Sequence, residues 1–288
     1  MIKNLIGVLF DGVAYGSLLF IISVGLSVTM GLMNFINLAH GAFAMLGGYV
    51  CVVAAGRFGV PFLLALPLAF ACAAVVGAVL ERGLYRHFYR ASPLDQVLFS
   101  IGLTFIAIAL ATYFFGSSQQ PVVLPAFFQG QWHPWGLDLG IYRSFLVGFV
   151  LLIALALAGL VRRTRFGAQV RAAVDDEDVA AGLGVHVSRI FALTFALGSG
   201  LAGLGGALGI DVLGLDPTFP LKYLVYFLMV VTLGGAGTIE GPLVAALLLG
   251  VCDVAGKYYV PEFGAFVLDL LMAVVVIVYP SGFSGKRA

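Results

Sequence analysis

Long apolar runs separated by short polar segments fill the chain from one end to the other. The runs at 5–30, 41–56, 60–81, 97–115, 142–161, 190–210, 222–237, 241–258 and 264–280 each predict a helix. Several of them reach the roughly 20 residues that carry an α-helix across about 30 Å of hydrocarbon. None alternates apolar and polar positions as the strands of an outer-membrane barrel do. The pattern predicts an all-α polytopic integral membrane protein of about eight or nine transmembrane helices, with one membrane domain over 1–288. The run at 41–56 barely spans the core and reads equally as a tilted or re-entrant half-helix.

Two interruptions stand out against this background. The stretch 31–50, GLMNFINLAHGAFAMLGGYV, places Asn34, Asn37, His40 and Gly41 inside an otherwise apolar region. A backbone that leaves the helix at membrane depth, or a buried amide or imidazole there, is tolerated only where protein or a water-filled path surrounds it. These residues are therefore candidates for a polar helix break beside a translocation path. The second interruption, LGGAGTIEGP at 233–242, clusters glycines around Glu240. Paired breaks in two halves of a chain point to a transport site, whereas Gly241–Pro242 equally suits a tight turn between antiparallel helices.

Charge sets the orientation. Only 10% of residues are charged against 61% hydrophobic, and mean hydropathy is +1.09, where soluble domains carry roughly 25% charged residues. Net charge is +1, so nothing predicts a nucleic-acid partner. Segments 82–96, 162–189 and 281–288 hold Arg82, Arg86, Arg90, Arg162, Arg163, Arg165, Arg171, Arg189, Lys286 and Arg287, ten of the 15 basic residues. The positive-inside rule makes these segments cytoplasmic. The first span is then expected to be uncleaved with its start outside, Lys3 sitting slightly against the scheme. The segment at about 116–141, with Trp132 and Trp135, becomes an outer interfacial loop.

Candidate chemistry is sparse. Gly256–Lys257 and Gly285–Lys286 lack the glycine-rich lead and the hydroxyl of a P-loop, and no HExxH, paired CxxC or G-x-S-x-G pattern occurs. The expectation is a non-enzyme with no catalytic residues, no metal and no cofactor of its own. Cys51, Cys72 and Cys252 lie in apolar runs and read as small buried hydrophobes. Asp269 is the deepest ionisable residue, either hydrogen-bonded between helices or lining the path. Asp253 and Lys257 are spaced to pair on one helix, and His40 reads as a satisfied interior imidazole. The spacings Gly12–Gly16, Gly205–Gly209 and Gly237–Gly241 predict close helix contacts. In the loop at about 162–189, four acids precede VAAGLGV, which predicts a short surface helix suited to docking a cytoplasmic partner.

The pieces INLAHGAFAMLGGYV, RAAVDDEDVAAGLGVHVSRIFALTFALGSGLAGLGGAL, YFLMVVTLGGAGTIEGPLVAALLLG and YPSGFSG together resemble the branched-chain amino acid ABC transporter permeases of the LivH/LivM family, specifically the LivH type. The resemblance runs over nearly the whole chain. It implies a type II ABC importer-like permease in a bacterial inner membrane, paired with a LivM-like second permease, two cytoplasmic ATPase subunits that hold the ATP and Mg, and a periplasmic substrate-binding protein. It also implies that DVAAGLGV is a loose form of the E-A-A-x-x-x-G coupling signature, with Asp178, Ala180, Ala181, Gly182 and Gly184 meeting the ATPase. Asp replaces Glu there and one extra residue separates acid from alanines. Tyr279 precedes Pro280 where the family usually has Arg. The family also carries urea, short amides and other small polar solutes. The competing reading is an autonomous ion-coupled carrier or channel using His40, Glu240 and Asp269.

Overall fold

The computed structural model describes residues 2–122, 124–134 and 137–264, with 266, 270, 273, 274 and 277 beyond them. Most of the predicted ninth span, Asp269, the basic tail and Trp135 therefore lie outside the described residues. Up to Tyr259, the described residues form ten α-helices in order: α1 (Ile2–Met33), α2 (His40–Phe58), α3 (Phe62–Gly83), α4 (Pro93–Phe115), α5 (Ile141–Arg163), α6 (Arg165–Asp175), α7 (Glu177–Gly182), α8 (Val187–Leu213), α9 (Phe219–Gly234) and α10 (Glu240–Tyr259). Seven are long and apolar enough to cross a membrane, and α9, with 16 residues, is a shorter apolar helix. α2 runs for 19 residues, so the doubtful second run is a full-length helix. In the outer loop, β1 (Gln131–Trp132) pairs antiparallel with β2 (Leu139–Gly140).

α1 and α8 form the centre. They meet backbone to backbone: a Cβ on Gly25 would stand 2.6 Å from Gly198 Cα, and one on Gly198 3.0 Å from Gly25 O. α2 crosses α8 where Gly47 faces Gly203 and Gly206 faces Ala44. α10 lies along α1, with Gly12 against Val251 and Gly16 against Ala246 and Gly250. α3 lies along α8, with Gly77 against Ser199 and Ala73 against Gly203. Lipid offers no hydrophobic drive for helices to associate, so close approach through small residues supplies the van der Waals energy instead. The predicted role of Gly12–Gly16 is realised. Gly237 instead sits at φ +82° in a turn against Gly31.

These contacts repeat about an inverted relation. After α1, Asn34 takes φ +46°, and Asn37 Oδ1 accepts the Ala39 amide at 3.1 Å just before α2 begins at His40. After α8, Gly214 takes φ +75°, and Asp216 Oδ1 accepts the Thr218 amide at 2.8 Å just before α9 begins at Phe219. The residues preceding the two helices share a conformation, φ −80°, ψ 3° at Ala39 and φ −83°, ψ −4° at Thr218. Gly41 and Pro220, the second residues of α2 and α9, touch. The counterpart of the 34–39 break is thus 214–218. The segment at 233–242 takes its turn reading, joining α9 to α10.

The break at 34–39, the segment after α3, the start of α8 and the turn before α10 all gather at one end, which also carries the arginines. Phe35 stacks edge-on to Tyr85, Tyr89 packs on Phe191, and Gly31 abuts Gly237. Gly25→Leu should lower the apparent melting temperature of the detergent-purified protein sharply, because overpacked cores lose about 1–3 kcal/mol and here the obstacle is backbone. Gly56→Ala, with open space at its Cβ position, should leave it unchanged or slightly raised.

Candidate functional site

Side chains of α4 bond three backbone groups of the non-helical stretch 34–39. The Ile36 amide donates to Gln96 Oε1 at 3.1 Å, Ser100 Oγ donates to the Ile36 carbonyl at 3.3 Å, and Thr104 Oγ1 donates to the Leu38 carbonyl at 3.4 Å. Gln96, Ser100 and Thr104 recur every four residues and so line one face of α4. Gln96 Nε2 also donates to the Phe88 and Ala91 carbonyls, tying the break to the basic segment. Hydrocarbon offers no hydrogen bonds, so backbone that leaves the helix within the membrane relies on such protein partners.

The predicted break residues divide. Asn34 is exposed and supplies the left-handed turn that ends α1. Asn37 is buried, and its Oδ1 also accepts from Tyr85 Oη at 3.0 Å, while its Nδ2 has no partner among the described residues. His40 Nε2 lies 2.8 Å from the Ile22 carbonyl, which can only accept, so Nε2 carries a proton. The sequence suggests that these side chains satisfy one another and the unwound backbone; instead Asn37 bonds Tyr85 and the Ala39 amide, and His40 bonds α1. Gly41 admits Pro220.

Glu240 is not at a helix break in the membrane interior. It opens α10 at the arginine-bearing end and pairs with Arg162 at the end of α5. Beside it, Ser27 on α1 organises the α9–α10 turn: its hydroxyl reaches the carbonyls of Gly235 and Thr238, and its own carbonyl accepts the Gly237 amide at 2.8 Å. The two interruptions therefore converge on one stretch of α1, from Ser27 to Gly31. Asp253 is buried, pairs with Lys257 at 2.6 Å and accepts from Tyr226 at 3.4 Å, a bridge within and between helices.

Three polar residues escaped the sequence reading. Glu81 is 3% exposed and accepts from Tyr89 Oη at 2.7 Å, which folds the basic segment back onto α3. Burial, and next the bond to Glu81, push the Tyr89 phenol above its usual range, so it remains a donor. Asp216 caps α9. Lys222 is exposed one turn into α9, with Nζ 5.2 Å from the Tyr223 ring centre. The first two bond partners within eight residues, Tyr89 and Thr218; Lys222 was legible as a lone cation in an apolar run.

The loop at 162–189 forms two helices, not one. Thr164 caps α6 through the Gly167 amide, and Asp176 caps α7 through the Val179 amide at 2.9 Å. Asp178 is exposed, Ala180 is buried, and Ala181, Gly182 and Gly184 are exposed. Val179 and Leu183 stand out at 58% and 79% exposure, an apolar ridge within the most charged segment of the chain. At the opposite end of the bundle a polar cavity of about 420 Å³ opens beside Asp11, Tyr142, Arg143 and Asp211. Arg143 on α5 bonds Asp11 on α1 there at 2.5 Å.

A family model for the permease component of branched-chain amino acid transport systems matches residues 8–278. The chain belongs to that family. The high-affinity branched-chain amino acid permease LivH of Escherichia coli K12 is 29% identical over 96% of this permease and 94% of its own length. BraD of Pseudomonas aeruginosa PAO1 is 28% identical over 96% and 95%. A probable LivH of Methanocaldococcus jannaschii is 24% identical over 96% and 92%. No solved structure matches the chain. The protein is a multi-pass membrane permease, as the sequence pattern predicts.

Gln96→Ala should destabilise this permease by about 1–3 kcal/mol, since the Ile36 amide is left buried without a partner. Thermal unfolding of the purified protein reads this directly. Ser92→Ala, at the exposed cap of α4, should cost about 1 kcal/mol or less.

Proposed function

We propose that this permease is a transmembrane subunit of an ATP-driven ABC importer in a bacterial inner membrane, moving branched-chain amino acids or a related small polar solute such as urea or a short amide into the cell. Residues 1–288 form its membrane domain. A LivM-like second permease shares the translocation path. Two cytoplasmic ATPase subunits hold ATP and Mg, and a periplasmic binding protein delivers the solute to the outer end. The chain itself holds no cofactor and performs no catalysis.

The observation that carries this reading is the apolar ridge of Val179 and Leu183 on α7. Exposed apolar side chains in a segment otherwise built of charge mark a surface that another protein covers. The arginines around it favour the cytoplasmic side. ATP binding then closes the ATPase pair, and Asp178, Ala180, Ala181, Gly182 and Gly184 pass that motion through α6 and α7 to α5 and α8. The shift between outward and inward states must come from the differential affinity of ATP for the two.

Within the membrane, Asn34, Asn37, His40 and Gly41 shape the break beside the path and Glu240 holds α10 to α5, with Asp269 a further path residue. An ion-coupled carrier is less well supported, because His40 and Glu240 are already bonded within the chain.

Deleting the ATPase genes should abolish uptake, and accumulation that continued without them would overturn the reading. Leu183→Asp should cut ATP-dependent uptake at least about tenfold, equivalent to about 1.4 kcal/mol of coupling, with the subunit still inserted in the membrane. Alanine at Asn37 or His40 should reduce uptake or assembly without changing which solute is preferred, as competition assays with a panel of amino acids would read.

A further inference from the structure

Lys222 is the ionisable group that neither the fold nor the packing accounts for. It stands twelve residues before the end of α9 at Gly234, about 18 Å along the helix axis at 1.5 Å per residue. Gly234 is at the turn of the arginine-bearing end, so Lys222 sits near the middle of a core about 30 Å thick. Pro220 against Gly41, whose neighbour His40 bonds the Ile22 carbonyl midway along α1, fixes the same depth. Yet the side chain is exposed.

Among the described residues Lys222 makes no ion pair. It lies in the first turns of α9, where the helix dipole already presents positive charge and favours an anion. The nearest acid in sequence, Asp216, is engaged by the Thr218 amide and hydroxyl. The Tyr223 ring orients the ammonium without neutralising it. A cation at this depth facing lipid costs a few kcal/mol at least, which a water-filled path avoids. On the same side of α9 the apolar Leu221 and Val225 are also exposed.

We propose that Lys222 lines the translocation path and holds the carboxylate of the transported solute, with Leu221 and Val225 beside it accepting an aliphatic side chain. This inference rests on the importer reading and refines it. The site takes an amphiphile with an anionic end and a branched apolar end, and gives no comparable grip to a neutral solute.

The test uses the complete importer in cells, with Cys51, Cys72 and Cys252 replaced by Ala and Lys222→Cys added. Uptake of leucine should fall about tenfold, equivalent to about 1.4 kcal/mol of lost interaction. Aminoethyl methanethiosulfonate, which restores an ammonium on the cysteine, should recover uptake, whereas the neutral methyl reagent should not. Saturating leucine should slow the modification. Failure of the ammonium reagent to react from water, equal recovery by the neutral reagent, or no protection by leucine would each overturn the proposal, the last two pointing to a bridge with the second permease. Lys222→Arg should retain uptake and guards against a folding defect. Uptake by the unmodified importer that persisted without the ATPases would instead defeat the importer reading.

Discussion

In hydrocarbon an unpaired peptide group has no water to turn to, and the architecture of this permease follows from that constraint. A helix can stop at membrane depth only if neighbouring side chains take over the bonds its backbone gives up. At 34–39 the takeover is made by Gln96, Ser100 and Thr104 on α4 and by Tyr85 through Asn37. At 214–218 it is made by Asp216, by a backbone bond from Gln120 to the Leu215 carbonyl, and by Tyr223 on the Leu213 carbonyl. Each break therefore drags a loop or a second helix into the core with it.

The inverted relation between the two breaks makes the centre of the molecule balanced. α1 is flanked by α10 and α8 by α3, and the two long helices touch at Gly25 and Gly198 without intervening side chains. Such a contact is stiff, since a Cβ on either glycine would meet backbone. The alternation proposed for transport would then fall to the helices that lean on this pair rather than to the pair itself. α5 is the clearest of these, with few buried residues and an ion pair at each end, Arg143–Asp11 and Arg162–Glu240. Its lower end leads straight into α6 and α7.

Much of this was legible in the sequence because hydrophobic periodicity and length report helices directly. The polar residues of 31–50 announced a break, and the acids before VAAGLGV announced α7. The break at 214–218 was hidden because Gly, Asp and Pro between two apolar runs read as an ordinary connection; its depth depends on where α8 and α9 begin relative to α1. Glu240 stayed open between a path break and a turn for a related reason: its partner Arg162 is 78 residues away. Gln96, Ser100 and Thr104 were visible as a fourfold spacing, but only the neighbouring bare backbone gives that spacing a purpose.

The exposed ridge on α7 has a consequence for the life of the protein before it is assembled. A copy without partners leaves Leu183 and Val179 uncovered, the kind of greasy surface that chaperones and proteases recognise in unpartnered proteins. On the proposed docking of α7, copies made in excess of their partners would be marked for removal, and the same surface would keep the subunits in proportion.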